Sequence, residues 1–459
     1  MLIKVQDDIL YHIFERNDRF FLVDSYNQLF WDIGSNLNKE STIVKLSALG
    51  FFLNKQDDSD QNYNKEQILN HLVINPSTEC NLDCWYCYSK DYRKTNQKKL
   101  GFKEVKKVIE IVLEHKRKKG QDLRFSLSLG YSQEITLDFQ LFKDVKEYID
   151  TLNKNSETEI HLFLPSTNLM QVGTDFVDYI NQYKFLVVSL DIDNNIQKQK
   201  VLQNLTLFSP SVVKQLIIPI SAETPPLLSL YTDYSKFFDS VSIRPVRVGN
   251  DSKIPWNNNR IKIFNDRITE FFDSLLVLEG EELLHILRLI GPTDYIGRYI
   301  DRIIQRTKII ERCPAGKTAF VLSTDLKLYP CSGLMGVQDF EIGHVNLEKN
   351  VMFLENTKIL QNKVIDDCSR CSIHYYCGGP CVDWVFKQYG VSENRINSFE
   401  CRINKHLFEE AINFIFHLKI KKPEILNKYV EKKGLRNKLN YSLNFDDFCN
   451  QFAIKVTSQ

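Results

Sequence analysis

Between about His71 and Val248 the chain alternates short apolar runs with amphipathic stretches. In Leu123, Phe125, Leu127 and Leu129 every second residue is apolar, the period of a strand. Val105, Val108, Ile109 and Val112 instead recur at helical spacing within Phe102–Lys119, as do Leu141, Phe142, Val145, Tyr148, Ile149 and Leu152. His71–Asn75, Ile160–Leu164, Phe185–Asp191, Gln215–Ile220 and Val241–Val246 read as further strands, with helices near Asp175–Tyr183, Ile196–Leu207 and Leu227–Phe238. Six β/α units in succession call for a parallel sheet with right-handed crossovers. They are too few for a closed eight-fold barrel, so the expected fold class is α/β with a partial (β/α)6 barrel. In such sheets the chemistry sits at the carboxyl ends of the strands.

The flanks read differently. Ile9–Phe14, Phe20–Val23 and Leu29–Trp31 are β-type runs punctuated by Asn17-Asp18 and Asn27, followed by a helical stretch from about Lys39 to Leu49 and a polar linker from Asn54. This small α+β module, residues 1–68, is either a peptide-docking unit or a lid over the main domain. The partial barrel is expected over 69–252, a helical connector over 253–310, a cysteine-rich domain over 311–405 and a helical tail over 406–459, with Lys405–Ile420 as an amphipathic helix. Such a division suits 459 residues at roughly 100–200 residues per domain.

Composition narrows the classes of partner. Lys+Arg number 59 against Asp+Glu 58, a balance of +1, which argues against nucleic acid or an anionic membrane as the main partner. Asp7 and Asp8 fall where a signal peptide needs an apolar stretch, and no apolar run approaches the roughly 20 residues that span a bilayer. The expectation is a soluble cytoplasmic protein, in which 11 cysteines are poor candidates for structural disulfides.

The cysteines cluster. Glu79-Cys80-Asn-Leu-Asp-Cys84-Trp-Tyr86-Cys87-Tyr88 follows the first strand of the β/α array with C-x3-C-x2-C spacing. Three thiolates on a short loop can hold three irons of a 4Fe–4S cubane and leave the fourth iron free for a small molecule. A structural zinc site would want a fourth ligand, and no further Cys or His lies nearby except His71, on the strand. A second group, Cys368, Cys371, Cys377 and Cys381, is spaced C-x2-C-x5-C-x3-C, with Cys313 and Cys331 upstream and Cys401 downstream. One four-coordinate zinc cannot satisfy seven cysteines; two zincs or iron–sulfur clusters can.

The first cluster resembles the signature of the radical S-adenosylmethionine (SAM) superfamily, and the second resembles the SPASM domain carried by members that modify peptides and proteins. The resemblance implies a 4Fe–4S cluster on Cys80, Cys84 and Cys87 whose open iron chelates SAM, and a 5′-deoxyadenosyl radical that abstracts hydrogen. Tyr86 matches the aromatic residue before the third cysteine. Leu129-Gly130-Tyr131-Ser132-Gln133-Glu134 stands where the family has Gly-Gly-Glu-Pro, which makes Ser132, Gln133 and Glu134 candidate SAM contacts. Ser166-Thr167-Asn168 resembles the family's Thr-Asn-Gly turn and Ser189-Leu190-Asp191 its Ser-Leu-Asp-Gly segment, each without the glycine, so Ser189 is a further candidate. The family's arginine about twenty residues later is missing.

Carried over from the same resemblance, one auxiliary 4Fe–4S cluster would use Cys368, Cys371, Cys377 and Cys401. Another would use Cys313, Cys331 and Cys381, with its fourth ligand unassigned. Leu326 stands where the SPASM pattern has a glycine, and Cys449 is left as a spectator thiol. His374, Tyr375, Tyr376, Asp383 and Trp384 read as packing around the clusters. Arg244 and Arg247 would meet either a substrate carboxylate or SAM, or form a surface ion pair. The implied function is a maturase that crosslinks a precursor peptide through a thioether or carbon–carbon bond, fed by a flavodoxin or ferredoxin. Sulfatase-maturase-like oxidation of a protein Cys or Ser, and a non-catalytic iron–sulfur partner, are the alternatives.

Overall fold

The computed structural model describes residues 2–5, 9–25, 28–33, 67–154, 157–249, 252–291, 293–354, 368, 371–390 and 398–435. The helix expected from about Lys39, the linker after it and Cys449 lie outside the described residues.

The N-terminal strands form an antiparallel meander, β1 (Leu2–Val5), β2 (Ile9–Arg16), β3 (Arg19–Asp24) and β4 (Leu29–Asp32), in that order across the sheet. Asn17 and Asp18 turn β2 into β3 at φ of 53° and 57°, a left-handed pair that short polar side chains tolerate. β1 is one strand more than the apolar runs disclose. Phe14, Phe21, Val23 and Phe30 from this sheet join the main core.

The β/α array follows in the expected order with most ends displaced by one or two residues; the helix expected over Leu227–Phe238 stops at Thr232, and a short helix over Lys90–Thr95 was not expected. Its strands are β5 (His71–Ile74), β6 (Arg124–Leu129), β7 (Glu159–Phe163), β8 (Phe185–Ser189), β9 (Val213–Ile220) and β10 (Ser240–Pro245). The helices are α1 (Lys90–Thr95), α2 (Phe102–Lys118), α3 (Phe139–Leu152), α4 (Thr174–Tyr183), α5 (Asn195–Leu205) and α6 (Leu227–Thr232). β5, β6 and β7 pair in parallel, as do β8, β9 and β10. Between the two groups the ladder narrows to a single bridge, Thr167 to Val188. The chain leaving β7 passes Pro165, which has no N–H to give, and pairing resumes where Thr167 N donates to Val187 O at 3.0 Å and Ser189 N to Thr167 O at 2.8 Å.

The rest of the chain is built onto this array rather than beside it. After α7 (Asn258–Val277), α8 (Gly280–Leu289) and α9 (Gly297–Gln305), strand β11 (Ala319–Leu322) pairs in parallel with β5. β12 (Lys327–Tyr329), β13 (Gly343–Asn346) and β14 (Val351–Leu354) continue it antiparallel, giving a seven-stranded mixed sheet, β14-β13-β12-β11-β5-β6-β7. α10 (His374–Cys377), α11 (Val382–Tyr389), α12 (Phe399–Lys421) and α13 (Pro423–Lys432) complete the described chain. α12 runs without a break through the expected boundary at residue 405. It is buried along most of its length because the core surrounds it: Phe21 of β3 meets Phe416 edge-on at 5.3 Å, and Phe414 meets Phe272 of α7 at 5.5 Å. No described helix is long and apolar enough to cross a membrane.

Candidate functional site

The loop that leaves β5 carries Cys80, Cys84 and Cys87, all half-buried. Its backbone turns tightly, with Cys87 N donating to Cys84 O at 3.1 Å and Lys90 N to Cys87 O at 3.2 Å. Two neighbouring turns hold it. Glu134 N donates to Glu79 O at 2.8 Å, and Asn168 Nδ2 donates to Asn81 Oδ1 at 2.7 Å while lying 3.7 Å from Cys80 Sγ. Burial pushes the Cys80 thiol up, and burial together with the charge of Asp191 pushes Cys84 up to about 11. Metal binding at such thiols displaces a proton. Burial likewise raises the Tyr86 hydroxyl, and the nearby charges of Cys84 and Asp191 add to the shift.

The turn after β6 presents Ser132, Gln133 and Glu134. Gly130 sits at φ +76°, and a Cβ there would lie 2.5 Å from the Gln133 amide, so the folded-back Gln133 side chain requires glycine. Ser132 N donates to Asn75 Oδ1 at 3.0 Å, whereas the buried Ser132 Oγ and Gln133 Oε1 have no hydrogen-bond partner. Glu134 is engaged with its own chain. Oε1 accepts from Thr136 N (3.2 Å), Thr136 Oγ1 (2.9 Å) and Thr167 Oγ1 (2.6 Å), and Oε2 accepts from Asn168 N (2.7 Å). Oε2 therefore keeps a lone pair for one more donor.

Gln197 is a residue that sequence reasoning missed. Fully buried on α5, it donates to Ser189 O at 2.9 Å and Asn168 O at 3.0 Å, and accepts from Asp191 N at 2.9 Å. It thereby fixes the ends of β7 and β8 against each other. Only its position one turn into a helix that follows a strand end hinted at this.

The second concentration of sulfur lies around α10 and the start of α12. Cys368, Cys371, Cys377 and Cys401 line one opening, shared with Ile373, His374, Gly379, Pro380, Asn404 and Lys405. Donors already point at the sulfurs: Asn404 Nδ2 at 3.5 Å from Cys377 and Ser398 Oγ at 3.1 Å from Cys401. Burial pushes Cys401 up to about 12. Gly378, at φ +72°, lets the backbone come close enough for Arg312 N to donate to its carbonyl at 2.9 Å; a Cβ would stand 2.7 Å from that nitrogen.

Cys313 and Cys331 flank the β11–β12 hairpin and so arrive at the same end of it. Cys381, at the N-terminus of α11, lies within charge range of both. Arg247 Nη1 is 3.3 Å from Cys381 Sγ and 3.6 Å from Asp383 Oδ2, so this arginine answers a thiol and a buried carboxylate. Arg244 is exposed and faces Tyr88, Tyr131 and Arg247. The two cysteine groups share a buried ion pair: Arg312 Nη2 lies 2.6 Å from Glu400 Oε1, and Glu400 Oε2 accepts from Cys381 N at 2.6 Å. Trp384 packs against Trp256 at 5.7 Å, and Tyr376 against Phe408 at 4.8 Å, both as core.

Among the described residues no three His, Cys, Asp or Glu side chains converge closely enough to hold a single metal ion. A cubane spreads its irons, so its ligands ring a larger volume than the roughly 2.3 Å bonds of a zinc site allow. Four cysteines around one opening supply the number of thiolates such a cluster takes.

No family model matches the chain. Over 421 residues it is 20% identical to an uncharacterized protein of Archaeoglobus fulgidus, covering 86% of this chain and 92% of that one. Over 387 residues it is 22% identical to a cysteine-type anaerobic sulfatase-maturating enzyme of Clostridium novyi, covering 77% and 96%. A solved structure of anSMEcpe with bound AdoMet superposes with a TM-score of 0.59 at 18% identity, over 80% of this chain and 99% of that one. The chain thus shares the mixed α/β fold of that solved structure, with a cysteine-rich C-terminal region.

Proposed function

We propose that this chain is a radical SAM enzyme with two auxiliary 4Fe–4S clusters that modifies a peptide or protein. The observation that carries the reading is the loop of Cys80, Cys84 and Cys87, lashed to the turns of Glu134 and Asn168, where the buried Ser132 Oγ and Gln133 Oε1 lack partners. The fold shared with AdoMet-bound anSMEcpe supports it, as does the likeness to a sulfatase-maturating enzyme. So does the same fold solved with AdoMet and the Kp18Cys peptide.

When bound, SAM and the clusters supply one-electron chemistry that abstracts a substrate hydrogen and takes up the surplus electron. The chain's part is to hold and orient. Cys80, Cys84 and Cys87 would hold the SAM cluster; Cys368, Cys371, Cys377 and Cys401 would hold one auxiliary cluster, and Cys313, Cys331 and Cys381 the other. Ser132 Oγ and Gln133 Oε1 offer buried acceptors, and Glu134 Oε2 has room for an ammonium donor. Tyr86 and Ser189 border the same loop ends. Tyr88 donates to the Tyr131 carbonyl, and Arg244 lies within charge range of both rings' hydroxyls. A flavodoxin or ferredoxin in the cytoplasm fits the need for an electron donor.

Two outcomes at the substrate are open to this machinery. A thioether or carbon–carbon crosslink in a precursor peptide removes two hydrogens. Oxidation of a Cys to an aldehyde, which the likeness to the Clostridium novyi relative favours, also removes two hydrogens, but water supplies an oxygen, the sulfur leaves as sulfide, and the carbonyl formed is one that hydrazides trap. Anaerobic reconstitution with iron, sulfide, dithionite and SAM is expected to release 5′-deoxyadenosine. Mass spectrometry of a peptide encoded beside the gene then separates the two outcomes. A fully iron-loaded chain that releases no deoxyadenosine contradicts the enzyme reading and leaves a non-catalytic iron–sulfur protein.

A further inference from the structure

Two arginines stand at the carboxyl end of β10, and only one of them is matched. Arg247 Nη1 lies 3.3 Å from Cys381 Sγ and 3.6 Å from Asp383 Oδ2, so a thiol and a carboxylate already answer its charge. Arg244 makes no hydrogen bond and no ion pair with any described residue.

The register of the sheet fixes where Arg244 points. Val241 and Ile243 are completely buried in the main core, so Ser242 and Arg244 project from the other face of β10. Paired residues of parallel strands share a face. Ser242 pairs with Ile217 and Ile217 with Ser189, while Arg244 pairs with Pro219, two residues nearer the carboxyl end. Arg244 therefore shares a face with Ser189, the candidate SAM contact, from two strands away, roughly 10 Å across the sheet. Tyr88, the residue after Cys87, donates to Tyr131 O, and both tyrosines lie within charge range of Arg244. Tyr88 is also within charge range of Cys87 and Cys331. Arg244 thus stands between the loop of Cys80, Cys84 and Cys87 and the set of Cys313, Cys331 and Cys381.

Arg244 is exposed, yet burial lowers its guanidinium pKa, and the charge of Arg247 adds to the shift. The surface it exposes accordingly faces an enclosed space rather than open solvent. The tyrosine hydroxyls bring no counter-charge. The carboxylate that acts on it, Asp294, is completely buried and already accepts from Tyr231 Oη and from the backbone N–H groups of Ile243, Ile296 and Gly297. An enclosed cation without a counter-ion is costly, and a guanidinium is shaped for two parallel hydrogen bonds to a carboxylate.

We propose that Arg244 binds a carboxylate of the peptide substrate, an Asp or Glu side chain or the chain terminus. The inference rests on the radical SAM reading above and names the substrate chemistry that reading leaves open. Position favours the substrate over SAM as the source of the carboxylate. Arg244 stands two strands beyond Ser189 and on the side of Arg247 and Cys381, so a ligand it holds lies past the SAM contacts and toward the second cysteine group.

The test passes a random-sequence peptide library over the anaerobically reconstituted full chain, saturated with SAM, and sequences the retained peptides by mass spectrometry. The wild type should enrich Asp or Glu, or free-acid over amidated termini. Arg244→Gln should lose that preference, Arg244→Lys should keep part of it, and Arg244→Glu should turn it toward Lys and Arg. For one enriched peptide, Arg244→Gln should raise Kd about tenfold or more, the size of a lost charged hydrogen bond. Iron content and the SAM-dependent EPR shift are recorded for each variant. No acidic preference in the wild type, or the same preference in Arg244→Gln at full iron load, overturns the inference. So does an Arg244→Gln chain that keeps the preference and needs more SAM for its EPR shift, since Arg244 would then serve SAM. Retention requires no turnover. A wild-type chain that shows the Arg244-dependent preference but releases no deoxyadenosine contradicts the radical SAM reading and leaves the carboxylate site standing.

Discussion

Two leucines show how single residues hold a turn built for another side chain. Leu169 follows Asn168 where the resembling motif has glycine, and Leu326 occupies the glycine position of the SPASM pattern. Both keep the left-handed backbone, at φ of 56° and 65°. A residue with a Cβ pays about 1–2 kcal/mol for that conformation. Leu169 recovers it by complete burial and by Asn204 Nδ2 donating to its carbonyl at 2.8 Å; Leu326 is only half-buried. Leu326→Gly is therefore expected to change unfolding free energy by less than about 1 kcal/mol, since relief of strain offsets lost burial. Leu169→Gly, which forfeits a whole buried side chain worth about 1.5–3 kcal/mol, should be the more destabilising. Urea unfolding of the two variants checks the order. Glu134→Ala should cost more than either, about 2–4 kcal/mol, because it strands the buried N–H of Asn168 and the Thr167 hydroxyl.

At the scale of elements, the alternating array was legible because its strands and helices are long enough to show a period. Leu123 to Leu129 and the apolar face of α2 needed nothing beyond spacing. The pairing of β11 with β5 was not legible. β11 has four residues and β12 three, too few to display a period, and their partner lies some 250 positions away in the chain. That non-local pairing brings the hairpin flanked by Cys313 and Cys331 alongside β5. The clustering of the cysteines was legible from spacing and their division into sets only from the resemblance, whereas Gln197 and the ion pair of Arg312 with Glu400 were not legible, because neither belongs to a motif. The pair makes an element-level prediction. Glu400 is 2% exposed and bridges α12 to the Cys381 N–H. Arg312→Met should destabilise the chain by about 3–5 kcal/mol by leaving that charge unpaired, and adding Glu400→Gln should recover part of the loss. A double-mutant cycle in urea measures it.

Across the whole molecule, the N-terminal sheet is braced against the cluster region. His12 Nε2 meets Glu409 at 2.6 Å, and its Nδ1 meets the hydroxyl of Ser372, the residue after Cys371, at 3.1 Å. Arg16 reaches Glu410 at 2.9 Å and Asp273 at 2.8 Å, and Gln28 donates to Tyr375 O at 3.2 Å. Whatever else this module does, one of its faces supports α12 and the loop of the four-cysteine opening. His12→Ala with Arg16→Ala should accordingly speed oxygen-driven iron loss from that opening and leave the loop of Cys80, Cys84 and Cys87 unaffected, read as cluster bleaching in air. The central claim is that this three-cysteine loop leaves one iron for a sulfonium ligand. Its most direct test is the EPR spectrum of the dithionite-reduced chain before and after SAM is added. The account predicts a SAM-dependent shift that disappears in Cys80→Ala while the auxiliary signals persist. A spectrum indifferent to SAM, or a shift that survives Cys80→Ala, contradicts it.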